Sequence, residues 1–155
     1  MIVLSLVLAA AAGQAAPAPR LRFLPDWTAK LSGKGWPFLD IDAGNKVVLF
    51  AKIDTTEPSP EHLRVLVRHE FRDEQAEPDP KAMRFRSEVI SEEVDCAAQS
   101  VRTLRDRRYR FSNMEGDQLT YRFVDNDWRR PDPGSFDEEV LQAACMRRPA
   151  AAPAS

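Results

Sequence analysis

From Lys46 to Asp125 apolar and polar residues alternate with a period of two, segment after segment, and beyond Gly134 the spacing changes to that of a helix. This order of strands first and helix last narrows the fold more than any other feature. It calls for an antiparallel sheet with a helix laid on one face. Lys46–Asp54 puts Val47, Leu49, Ala51 and Ile53 on one side and Val48, Phe50 and Lys52 on the other, and Pro58 and Pro60 close the run. In His62–Arg72, Leu63, Val65, Val67 and Phe71 share a side. Glu74–Pro80 reads as a polar loop. Ala82–Cys96 is a long extended segment whose alternation slips near Glu88–Ser91, as a bulge would make it. Val101–Phe111 and Gln118–Asp125 follow, separated by a turn at Met114–Asp117. Ahead of them all, Trp27–Leu31 after Pro25 is a short candidate strand, broken by Gly33 and Gly35.

The helix announces itself by its ends. Ser135 is a good N-cap, and Glu138 three residues on completes a capping box. Asp137, Glu138 and Glu139 put negative charge where the helix dipole favours it, Arg147 and Arg148 put positive charge at the other end, and Pro149 stops it. Val140, Leu141, Ala144 and Cys145 fall on one face, so Cys145 points at whatever that face covers.

The N-terminus speaks for export. Met1–Ala12 is apolar or small except for Ser5, too short to span a bilayer, which takes about 20 residues. Gly13-Gln14-Ala15 fits the small-x-small rule of signal peptidase, so cleavage is expected after Ala15, with an uncleaved anchor as the alternative. Ala16–Arg20 reads as a Pro-rich spacer and Pro149–Ser155 as a disordered tail, leaving 21–148 as a single domain. In an oxidising compartment an isolated cysteine pair most often forms one disulfide, which here would join Cys96 to Cys145. The alternative of a redox or metal pair lacks a CxxC or a nearby His. Closing a loop of about 50 residues is worth about 4 kcal/mol in the chain-entropy model. The expected architecture is α+β: a small antiparallel meander sheet of about six strands with one C-terminal helix tied to it by the disulfide.

Trp27, the Lys46–Asp54 and Arg64–Phe71 strands, Val94-Asp95-Cys96 and the ending Trp128–Cys145 (WRRPDPGSFDEEVLQAAC) together resemble the surface-adhesin protein E family of exported bacterial proteins. The resemblance covers Leu21–Met146, and its most specific part is the Trp, Pro-Gly-Ser, helix, Cys ending. It implies a sheet tied to a helix by the Cys pair and a non-enzymatic role. In the family's namesake that role is adhesion to host extracellular-matrix proteins.

Composition excludes more than it assigns. The 22 basic and 24 acidic side chains nearly cancel, so no surplus of Lys and Arg is available for nucleic acid. His62 and His69 stand an odd number of positions apart, so on one regular strand they face opposite ways and cannot share a metal. Asp40-Ile41-Asp42 and Asp125-Asn126-Asp127 read as turn acids, since neither continues into a calcium loop. With the cysteines bridged and no nucleophile, phosphate-loop or dinucleotide motif present, no catalytic residue, metal site or cofactor is expected.

One basic cluster is left to weigh: Arg102, Arg105, Arg107, Arg108 and Arg110, with Tyr109 among them. If Asp95 opposes Ser100 in a hairpin, Glu93 meets Arg102 and Glu88 meets Arg107, which neutralises much of the stripe. Arg105 and Arg108 are left without an assigned acid and are the candidate anion- or partner-binding residues. Two readings of function follow. One is an exported interaction domain, adhesin-like, acting on an extracellular or periplasmic protein. The other is a periplasmic inhibitor or accessory factor of the lysozyme-inhibitor type, an inhibitor having Glu74–Pro80 as its candidate key loop. A third, ligand carriage between helix and sheet, requires an apolar cavity there.

Overall fold

The computed structural model describes residues 24–56, 62–77, 82–124 and 127–146. The segments expected to be signal peptide, spacer and tail, together with Pro58, Pro60, Asp125 and Asn126, lie outside the described residues. The expected α+β architecture is present. Six strands form one antiparallel sheet in chain order: β1 (Phe38–Ile41), β2 (Val47–Ile53), β3 (Leu63–Gln75), β4 (Phe85–Asp95), β5 (Ser100–Phe111) and β6 (Glu115–Arg122). Helix α1 (Phe136–Met146) follows.

Each sheet face has its own apolar cluster. Leu49, Ala51, Val65, Val67, Val94 and Val101 project to one side, where Val140, Leu141 and Ala144 of α1 cover them. Fully burying such a side chain stabilises by about 1.5–3 kcal/mol, so this face carries most of the apolar driving force. Cys145 reaches Cys96, just past β4, with an S–S bond of 2.08 Å and Cα atoms 5.6 Å apart. The helix begins as expected: Ser135 Oγ accepts from the Glu138 N–H at 3.3 Å. Glu138 closes the box one residue early, accepting from the Gly134 N–H at 2.7 Å.

Among the described residues, the cavity that α1 forms with Ala51, Ile53 and Val65 is about 10 Å³, room for about one water, too small for the apolar ligand that the carriage reading requires.

On the opposite face Ile41, Val48 and Phe50 are covered by Trp27, Leu31 and Trp36. Trp27–Leu31 is not the short strand expected after Pro25; Asp26–Lys30 is a 3-10 helix. The Thr28 N–H and hydroxyl both donate to the Pro25 carbonyl, at 2.9 and 2.7 Å, which curls the chain. Trp27 Nε1 then donates to the Asn45 carbonyl at 2.9 Å and pins the turn to the β1–β2 hairpin. β1 itself went unread in the sequence because four residues after Pro37 are too few to show a period.

The expected turn at Met114–Asp117 comes earlier. A tight turn at Ser112–Met114, with Asn113 and Met114 both left-handed (φ 63° and 62°), returns the chain into β6.

The bulge lies where the alternation slips, but its extra residue belongs to the neighbouring strand. Ser91 pairs with Arg105 while Glu92 pairs with Thr103, so Leu104 is the unpaired residue. Its carbonyl accepts from the Phe123 N–H at 3.0 Å, beyond β6.

Candidate binding face

The bulge decides where the arginines go. From the turn up to the bulge the register is as expected: Asp95 faces Ser100 and Glu93 faces Arg102. Arg102 Nη2 lies 2.6 Å from Glu93, which also takes Arg64 at 3.0 Å. Burial pushes the Glu93 carboxyl up, but these two guanidinium groups outweigh it and hold it below the ordinary range. Beyond Leu104 the register has moved by one. Glu88 faces Arg108, not Arg107, and Val89 faces Arg107. The expected Glu88–Arg107 pairing is therefore corrected by the one-residue bulge.

Arg105 and Arg108, singled out together in the sequence, lie on opposite faces. Arg108 shares the α1 side with His69 and Glu88 and is fully engaged. It pairs with Asp106 at 2.7 Å, with Glu88 at 3.7 Å and with Glu77, and it stacks over the Phe85 and Tyr121 rings. Arg105 turns to the other side, where it opposes Ser91 on β4 and Arg122 on β6. Arg107 and Tyr109 follow at two-residue intervals and share that side.

There a groove of about 320 Å³ opens across the strands. Trp36, Tyr109 and Met114 line it, Leu66, Val89 and Ser91 belong to its sheet surface, and Arg105 and Arg107 project into it. Asp54 and Thr56 line it as well. Both buried Nε atoms, of Arg105 and Arg107, are without a hydrogen-bond partner, and neither guanidinium forms an ion pair among the described residues. Asp54 is turned inward: its Oδ1 accepts from the Thr56 N–H at 2.9 Å and hydroxyl at 2.6 Å. Burial pushes Asp54 up, yet those bonds with Arg64 and Lys52 nearby bring it below the ordinary range. Lys52 itself sits 4.1 Å over the Trp36 ring.

A buried polar network holds the frame beside this groove. Arg68 Nη1 donates to the Ser32 carbonyl at 2.8 Å and Nη2 to Asn113 Oδ1 at 3.1 Å. Asn113 N–H donates to Glu70 at 2.9 Å, its side-chain amide to the Lys30 carbonyl at 3.2 Å, and its Oδ1 accepts from the Ser32 N–H at 2.7 Å. One left-handed asparagine thereby joins the N-terminal segment, the β5–β6 turn and the sheet.

The α1 side carries acids of a different kind. Burial first, and then the Asp137 carboxylate, push Glu92 up to about 7 against the pull of Arg129, 3.5 Å away. Burial and Glu88 push Asp106 to about 7 as well, but Arg108 at 2.7 Å opposes this directly, so Glu92 is the clearer titrating group.

The remaining sequence candidates are in structural settings. His62 stacks on Trp128 with centroids 4.7 Å apart and lies 3.7 Å from Asp95, while His69 Nδ1 lies 2.7 Å from Glu88. Asp42 closes the β1–β2 turn by accepting from the Gly44, Lys46 and Val47 N–H groups. Among the described residues no three His, Cys, Asp or Glu side chains are placed to hold a metal. Of the expected polar loop, Glu74 and Gln75 are instead the last two residues of β3, Glu74 pairing with Arg84 at 3.1 Å, and Pro78 to Pro80 lie outside the described residues. Trp36, Arg107 and Tyr109 were missed as site residues. The spacing of Arg105, Arg107 and Tyr109 by twos was the available signal, since it puts them on one face.

A helix tied by a disulfide to a six-stranded meander defines the architecture, and the chain belongs to the surface-adhesin protein E family, whose model matches residues 36–146. It is thus an adhesin-like protein of a bacterial surface family. Among solved structures, that of Haemophilus influenzae protein E is similar to this chain, with 16% sequence identity, a TM-score of 0.48, and coverage of 71% of this chain and 89% of the other. None of the curated proteins matches. No helix among the described residues is long and apolar enough to cross a membrane.

Proposed function

We propose that this chain is exported, loses its signal peptide after Ala15, and acts as a non-enzymatic interaction domain of the periplasm or cell surface, its partner an extracellular or periplasmic protein. Family membership supports the adhesin-like part of this reading. The observation that carries it is the groove of Trp36, Arg105, Arg107 and Tyr109 on a disulfide-tied frame, its two arginines without an ion pair among the described residues. Trp, Tyr, Arg and Met are the residue types enriched where proteins bind proteins. A surface held by a bridge and a buried ion network loses little freedom on binding.

The test has two arms. Intact-mass analysis of the product from expressing cells should show a start at or near Ala16, and protease shaving of intact cells reports whether it lies outside. The mature protein, immobilised, should retain a purified extracellular-matrix or periplasmic protein. A product that keeps Met1 and partitions with membranes, or a mature protein that retains nothing from either panel, removes the proposal.

A further inference from the structure

We infer that the groove receives an acidic segment of the partner protein, with carboxylates on Arg105 and Arg107 and an apolar side chain seated between Trp36 and Tyr109; this rests on the interaction reading above.

The argument begins with the charge balance of that face. The acids nearest the groove are committed, Glu70 to Arg68, Glu93 to Arg64 and Arg102, and Asp54 to the donors of Thr56, while Glu115 lies by the Phe111–Asn113 turn and does not line the groove. Arg105 and Arg107 have no acid among the described residues, and Arg105 stands directly opposite Arg122 across the β5–β6 pair. Like charges opposite one another across strands destabilise a sheet. The face therefore carries a standing positive field, with its two nearest guanidinium groups on one side of a concave site.

The shape narrows the occupant. A space of about 320 Å³ holds a few side chains of an extended segment, at the low end of the range for bound ligands. Arginine's planar fork matches a carboxylate with two parallel bonds. Leu66, Val89, Trp36 and Tyr109 all line it, which suits an apolar side chain flanked by acids.

The probe is a short fluorescein-labelled peptide alternating glutamate with phenylalanine, with a control in which glutamine replaces every glutamate. Anisotropy titration of the mature protein should show the glutamate peptide binding at least about tenfold more tightly, and more weakly as salt rises. Arg105→Gln with Arg107→Gln should lower affinity by about ten- to a hundredfold while circular dichroism and the absence of free thiols report an intact fold. Arg110→Gln, whose arginine pairs with Asp117 elsewhere, should leave binding unchanged. Equal binding of the two peptides, or unchanged affinity in the double variant, overturns the assignment. So does a heparin oligosaccharide that binds more tightly than the peptide and loses its binding in the double variant, because the groove would then belong to a sulfated glycan. If the double variant still retains the extracellular protein that the unsubstituted chain retains, the interaction reading stands and the groove assignment falls. If no protein is retained but the peptide results hold, the groove chemistry stands without that reading.

Discussion

Arg68 and Glu70 lie two positions apart on β3, on the same face, with Nη2 2.5 Å from the carboxylate and side-chain exposures of 1% and 0%. Both charges are out of water, and each is compensated by the other and by Asn113. Removing one partner leaves the other charged and buried. Glu70→Gln or Arg68→Met should each cost about 3–5 kcal/mol in urea unfolding. The pair Arg68→Met with Glu70→Leu should cost less than the sum of the two, since no lone charge remains. A neutral Glu70→Gln would show that the network does not hold the N-terminal segment in place.

Stability should fall as pH rises through Glu92. Its folded-state pKa of about 7 lies above the ordinary 4.5, so the native state keeps a proton that the unfolded chain gives up. That stability is present in full below about 4.5 and is lost between there and about 7, by up to about 3 kcal/mol. Glu93, held below its ordinary value, acts in the opposite sense and loses its contribution as acid protonates it. Stability should therefore peak near pH 5 and be lower at pH 8. Melting curves of Glu92→Gln across that span should be flatter than those of the unsubstituted chain, and an unchanged slope would assign the loss to another group.

The bridge between Cys96 and Cys145 should contribute about 2–5 kcal/mol, so Cys96→Ser or Cys145→Ser should lower the melting temperature, as should reductant. Helix α1 buries only Val140, Leu141 and Ala144 against the sheet, so its amides should lose hydrogen-exchange protection on reduction before those of β3 and β4 do. Equal melting with and without reductant would contradict this.

Gly116 should not tolerate a side chain. Its φ is +81°, and a Cβ there would stand 2.6 Å from the Phe111 ring. Gly116→Ala should cost about 1–2 kcal/mol from the left-handed backbone alone, read as a shift of the denaturation midpoint. Gly33, with ordinary space around it, is the comparison, and Gly33→Ala should cost less.

Much of the architecture was legible because it is written in local periods. β2, β3 and β5 begin and end close to where their alternation does, since a half-buried strand must place every second residue in the core. The helix was legible from its cap and the acids of its first turn, which act within a single turn, while Arg147 and Arg148 lie outside the described residues. Trp27–Leu31 was misread because five residues, apolar only at Trp27, Ala29 and Leu31, are too few to tell a strand from a turn. The Thr28 bonds to Pro25, and Trp27 reaching across to Asn45, are what choose the 3-10 turn. The groove was only half legible: Arg105 was singled out, but Arg107 was assigned to Glu88 and Arg108 was left over.

From the sequence alone came the meander of strands, the capped helix and the pairing of the two cysteines. Each depends on the spacing of residues along the chain or on the small number of partners on offer. Which arginines meet acids and which stand open depended on one unpaired residue, Leu104, in the neighbouring strand. A side chain's face alternates with each position, so a slip of one residue sends Arg108 to the acids under α1 and leaves Arg105 and Arg107 facing the groove. That choice is made between strands rather than along one, and the tertiary structure alone decides it.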